Sequence, residues 1–154
     1  MGKRLNTNSE IKAFLEKYNY FHDALLSSVQ FFSDDYFSGK PPALTITSQF
    51  NAAVSICHYN YQENQEQTIY SILIKLHALG SFSLHSDDRE QSARHWALTK
   101  IEIAPLKDRP ERWLMTIKGE KLDEATEKWA KADLARIEFA YLTYRVLPYK
   151  NATL

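Results

Sequence analysis

Glycine and cysteine are scarce in this chain of 154 residues, which has four of the first and one of the second. So few glycines nearly exclude a glycine-rich phosphate loop, and no G-x-G-x-x-G or G-K-[ST] string is present. A lone Cys57 rules out an internal disulfide and suits a reducing compartment. Net charge is also missing: Lys+Arg and Asp+Glu both total 19. A neutral chain lacks the long-range field that draws proteins to nucleic acid or anionic membranes, so neither is expected as a partner. Long apolar runs are absent too. The longest purely aliphatic one, Ile72-Leu73-Ile74, is far too short to span a bilayer. Met1-Gly2-Lys3-Arg4 begins like the basic part of a signal peptide, but Leu5-Asn6-Thr7-Asn8 supplies no apolar segment after it. Myristoylation needs Ser or Thr where Asn6 stands. The expected location is the cytoplasm.

What is present is an ordinary globular composition, 44% hydrophobic and 25% charged, with aromatics at 13%. The length fits one domain, 1–154, with 1–8 and 149–154 as flexible tails. Charge is unevenly spread. Residues 41–85 carry only Glu63, Glu66 and Lys75, whereas residues 107–138 carry sixteen charges, eight of each sign. No linker separates the two stretches, so the first reads as the buried part and the second as a solvated face.

Ile11, Phe14, Leu15 and Tyr18 fall on one helical stripe, which predicts a helix over about Ser9 to Asn19, capped by Asn8 or Ser9. Strand-type patterning follows over Ala24–Phe32, Ala43–Phe50, Ala53–Tyr61 and Ile69–Leu79, with a short piece at Phe82–Leu84. Pro41-Pro42 forbids regular structure between the first two. Trp96–Ile103 and Trp113–Ile117 read as a hairpin. From Leu122 to Leu134 the period turns helical, with Glu124–Lys128 and Glu127–Lys131 as favourable i,i+4 pairs. Ile137–Leu147 is rich in aromatic and β-branched residues on both faces and reads as a central strand. One helix from Leu122 through Tyr144 is the rival reading. The expected class is α+β, mainly antiparallel sheet with an N-terminal helix and a second helix before the last strand.

Chemistry-bearing groups are few. His22-Asp23 lies where the helix hands over to the strands, and a His beside a carboxylate can serve as a base or a ligand. At such a corner Asp23 more often bonds turn N–H groups, which is the structural reading favoured here. His77, His85, Asp87, Asp88 and His95 could form a metal set, but no H-x-x-x-H, H-x-H or C-x-x-C spacing supports it. No metal or cofactor is expected. Cys57 reads as a small buried hydrophobe, with neighbouring His58 on the other face. No G-x-S-x-G elbow offers a serine nucleophile. Tyr59, Tyr61 and Tyr70 flank the polar turn Gln62–Gln67 and can form an aromatic platform for a partner, or simply pair across strands.

Phe21-His22-Asp23-Ala24, then Ala43-Leu44-Thr45-Ile46, then Ile137-Glu138-Phe139-Ala140-Tyr141 together resemble several small bacterial families of unassigned function. Some of these look like immunity proteins of polymorphic toxin systems. The resemblance spans most of residues 20–147. It implies a non-catalytic protein that acts by binding, with His22 and Asp23 in a structural role. The dipeptide alone links the chain to the HD phosphohydrolases, whose further His and Asp ligands are lacking. The charged segment Leu122–Leu134 departs from the resembling families, so no interface is carried over. The function expected is a protein-binding module, an immunity-type inhibitor or accessory subunit, able to form a homodimer through a sheet edge or Trp129. The alternative is a small-ligand binder or enzyme with a pocket near His22 and His58. The tentative partner-binding residues are His22, Asp23, Tyr59, Tyr61 and Tyr70.

Overall fold

A computed structural model describes residues 2–47, 49–59, 69–84, 97–123 and 126–148. It contains β1 (Lys3–Leu5), helix α1 (Asn8–Lys17), a 3-10 turn (Asn19–Phe21), β2 (Leu25–Ser33), β3 (Tyr36–Ser38), β4 (Ala43–Thr45), β5 (Phe50–Tyr59), β6 (Ile69–His77), β7 (Phe82–Leu84), β8 (Ala97–Pro105), β9 (Trp113–Asp123), β10 (Lys128–Phe139) and β11 (Tyr141–Pro148). The architecture is mainly antiparallel sheet with one helix among the described residues.

The helix forms where its stripe predicts, but its cap is Thr7. The Thr7 hydroxyl accepts from the Glu10 N–H, and the Glu10 carboxylate accepts from the Thr7 N–H. Such a box contributes about 1 kcal/mol. Ile11, Phe14 and Leu15 face the core. Residues 1–8 are not a free tail throughout, because Lys3–Leu5 pair with Leu142–Tyr144 of β11.

Nine strands form one sheet in the order β1-β11-β6-β5-β2-β8-β9-β10-β7. β10 and β11 are a single run interrupted at Ala140. β6 pairs with β11, while its continuation β7 pairs with β10. The sheet therefore turns a corner and curls around one core built from Val54, Ile56, Ile72, Ile74, Leu98, Ile101, Met115, Ile117, Ile137 and Phe139, among others. The opposite seam is narrow: β2 meets β8 at Leu25↔Ala97, reinforced by Leu98 N–H to the Ala24 carbonyl.

The corner is held by Glu138, whose side chain is only 10% exposed. Its carboxylate accepts from the Ser81 N–H and hydroxyl at 3.2 Å and from Arg112 Nε at 3.0 Å. Arg112 also donates to the Ala78 carbonyl at 2.6 Å. A Cβ at Gly80 would stand 2.5 Å from the Glu138 carboxylate, so a side chain here would displace that group.

The second helix expected over Leu122–Leu134 is not formed. Its described residues include the end of β9 and the first half of β10, paired from Lys128↔Asp123 to Phe139↔Trp113 with a bulge between Asp133 and Ala135. Two i,i+4 ion pairs offer about 0.2–0.5 kcal/mol each, which cannot compete with a continuous ladder onto β9. On β9, Trp113, Met115, Ile117 and Gly119 are buried and alternate with half-buried residues, a strand period that commits the partner to strand as well. The rival single helix through Tyr144 fails for the same reason.

β3 and β4 stand apart. They form a two-stranded sheet that pairs with no other strand among the described residues. The stretch Ala43–Phe50, expected as one strand, is divided: β4 ends at Thr45 and β5 starts at Phe50. Residues 34–47 thus make an arm, closed at its root by the Asp35 carboxylate, which accepts from the Thr47 N–H at 2.8 Å.

Candidate functional site

His22 and Asp23 lie on the connection after α1, not within a strand. His22 Nδ1 is 3.0 Å from Asp23 Oδ2, and both side chains are more than half exposed. Alternation in a strand would have separated them; the turn instead brings them together. Asn19, Tyr20, Phe21 and Asp23 all have positive φ, a strained backbone for residues with a Cβ. The strain is offset by Phe21, which is fully buried against Phe14, Tyr18 and His58. The Asp23 main chain donates to the Leu98 carbonyl at 3.0 Å, tying the turn to β8. Asp23 therefore serves the turn through its backbone, and its side chain pairs with His22. So exposed a contact adds little stability.

Two of the three tyrosines, Tyr59 and Tyr70, fall among the described residues. Tyr61 lies outside the described residues. The register sets Tyr59 opposite Ile69 and Tyr70 opposite His58, so these two are not a cross-strand pair. In the metal set, His85, Asp87, Asp88 and His95 also lie outside the described residues. Among the described residues no group of three His, Cys, Asp or Glu converges as a metal site.

Three clusters were not evident from local motifs. The first surrounds His58, which is buried edge-on to Tyr18 and Phe21 at 5.7 and 5.9 Å between ring centroids. Phe14 joins this nest and packs on Tyr144 at 4.3 Å. Burial lowers the His58 pKa, and a hydrogen bond with the Tyr18 backbone pushes partly back. Its Nδ1 has no hydrogen-bond partner among the described residues. Cys57 takes the opposite face of β5, where burial raises its thiol pKa, so it is a poor nucleophile.

The second cluster is a polar network on the outer sheet face. His77 Nε2 lies 3.0 Å from Thr143 Oγ1, and the His77 ring stacks on Tyr141 at 4.3 Å. The Arg4 guanidinium sits 4.0 Å from the Tyr141 ring centroid. Asn51, fully buried, donates to Asp34 at 2.7 Å and accepts from the Ala78 N–H at 3.0 Å. Burial first, then the Lys75 charge, lower the His77 pKa. These groups satisfy one another, which is the pattern of a structural network.

The third is apolar. On the arm, Phe37 stands opposite Leu44, and Ile46 follows two residues on. Phe37 is 71% exposed and Ile46 67%. At the arm's root begins a bed of aromatic rings: Phe31 stacks on Phe82 at 4.4 Å and on Phe50 at 5.9 Å. Phe50, Phe82 and Leu84 are all substantially exposed. The sequence signal for this site was the near absence of charge over residues 41–85, which reads equally well as interior.

No helix among the described residues is long and apolar enough to cross a membrane. Compared with known proteins, the chain matches no protein-family model, no curated protein and no solved structure.

Proposed function

We propose that this chain acts by binding protein, and that the arm with its aromatic bed is the contact surface. The observation that carries this reading is the exposure of Phe37, Leu44 and Ile46 on and beside a ribbon that pairs with no other strand among the described residues. A lone two-stranded ribbon is marginal in water, and adjoining exposed apolar side chains mark interaction surfaces. Aromatic enrichment and the lack of charge fit the core of an interface. The resemblance of the His22-Asp23 region to immunity-like families points the same way, to an inhibitor or accessory subunit. The internally satisfied polar clusters favour binding over chemistry.

The test uses the tagged chain as bait in lysate of its source organism, beside a Phe37→Asp, Ile46→Asp variant checked for native circular dichroism. Protein retained by the wild type and lost by the variant is the expected result. Equal retention by both removes the arm from the interface.

A second reading is supported by the unpartnered Nδ1 of His58. It takes the nest of Tyr18, Phe21 and His58 as one wall of a small-ligand site. A small molecule that copurifies with the wild type, seen by native mass spectrometry and absent from a folded His58→Phe variant, would establish it. His22, the other residue of that expectation, is exposed and engaged with Asp23.

A further inference from the structure

His58 is an imidazole sealed among rings. Its side chain on β5 lies edge-on to Tyr18 at 5.7 Å and to Phe21 at 5.9 Å, and the residue is 8% exposed. The ring has a hydrogen bond with the Tyr18 backbone. Its Nδ1 is buried and has no partner among the described residues. A neutral imidazole tolerates this, since one of its nitrogens carries no proton; a protonated one carries N–H on both. The second N–H would then bring a full charge into an apolar nest, which is costly. The groups around the nest do not offset it. From α1 come the Tyr18 phenol and Lys17, a cation whose Nζ is 5.4 Å from the Tyr18 ring centroid. Glu10 and Glu16 of that helix are engaged by the Thr7 cap and by Lys12. The turn brings Tyr20, with Lys100 of β8 at 5.7 Å from its ring centroid. β6 sets Tyr70 opposite His58, and β11 supplies Tyr144 at 6.5 Å from Tyr18. A phenol brings no charge in mild acid. The Asp23 carboxylate, on the connection, is 3.0 Å from His22 Nδ1.

The segment over His58 is tied down at both ends. Before it, β1 pairs with β11. After it, the Asp23 N–H donates to the Leu98 carbonyl at 3.0 Å and the Leu98 N–H to the Ala24 carbonyl at 3.1 Å. Between these anchors Asn19, Tyr20 and Phe21 have φ of 50°, 53° and 60°. Such a left-handed run persists only while its surroundings hold it, and the fully buried Phe21 supplies that hold. We propose that residues 8–22 form a proton-operated clasp, in which protonation of His58 lifts α1 and its turn off the sheet between the two anchors while the strands stay paired. Lifting lets water reach both imidazole nitrogens and lets the left-handed run relax. It also turns Phe14, Tyr18 and Phe21 out to solvent. Mild acid is then the signal that exposes an aromatic surface the neutral chain covers. This goes beyond the protein-binding reading and holds whatever the arm meets.

Native-state amide hydrogen exchange of the full chain, between about pH 7.5 and about pH 5, tests the clasp. Protection factors, which are corrected for the intrinsic pH dependence of exchange, are followed in two places. One is α1 and its turn, where the Phe21 and His22 N–H groups donate to the Tyr18 and Asn19 carbonyls. The other is the β9–β10 ladder. The clasp is expected to be less protected than the ladder. Its opening constant should rise by up to about tenfold per pH unit below about pH 6.5, the slope of one proton taken up on opening. His58→Phe keeps a ring and should flatten that slope; if it does not fold, His58→Gln, which is also neutral, replaces it. His77→Gln removes the other buried imidazole and should leave the slope of the clasp unchanged. A clasp as well protected as the ladder at every pH overturns the proposal, because α1 then opens only with the whole chain. Protection of α1 that does not change with pH overturns it too, as does a slope that survives the loss of His58 or one that vanishes in His77→Gln.

Discussion

His58 and His77 are buried imidazoles whose pKa values burial holds below the ordinary 6.5. In the unfolded chain both titrate normally. Above about pH 6.5 both states are neutral and the folded state keeps its full stability; as pH falls toward the lower folded-state values, the unfolded chain gains protons first. Stability is therefore lost with acidification in that window. The lowered carboxylates Glu102 and Glu138 act only further down, as pH falls below 4.5. Thermal melts at about pH 7.5 and about pH 5.5 should show a lower Tm at the acid value, with a smaller drop in His58→Phe, which keeps the ring and removes the charge. A wild type whose Tm is unchanged between the two would contradict the burial argument. At this scale the sequence was partly legible. Alternation correctly set His58 on the face opposite Cys57. Strand alternation does not govern His22 and Asp23, because a left-handed run over Asn19–Phe21, fixed by burial of Phe21, precedes them.

At the scale of elements, helix α1 was readable because one stripe and one cap box agree, although the cap proved to be Thr7. Most strands were readable from alternation, within a few residues at their ends. The β9–β10 hairpin was not. Leu122, Ala125, Trp129 and Ala132 also fit a helical stripe, and only the partner strand decides between the two. Gly119 reports on that decision. It lies opposite Ala132, and a Cβ there would come 2.7 Å from Leu134 Cδ1 and 3.1 Å from the Ala97 carbonyl oxygen. Overpacking of this kind costs about 1–3 kcal/mol. Gly119→Val should lower the Tm by roughly 5 °C for a chain of this size. Were Leu122–Leu134 helical, the substitution would fall outside the helix, and an unchanged or higher Tm would follow.

At the scale of the molecule, the charge-poor stretch was taken as interior, and half of that holds. β5 and β6 do supply core through Ala52, Val54, Ile56, Ile72, Ile74 and Leu76. The arm, Phe50, Phe82 and Leu84 instead present apolar side chains to solvent. Composition cannot separate these cases, because an apolar face awaiting a partner has the same residues as one facing its own core. Side-chain exposure, as at Phe37 and Ile46, is what tells the second from the first. If the chain acts as proposed, this ribbon and bed are covered in its bound form. Amide hydrogen exchange measures that cover, comparing the dilute chain with its bound form, whether self-associated or complexed with a captured protein. Slowed exchange at Tyr36–Thr45 together with Phe82–Leu84 is the expected result. Protection that arises elsewhere, with the arm exchanging as fast as in the dilute chain, would contradict it.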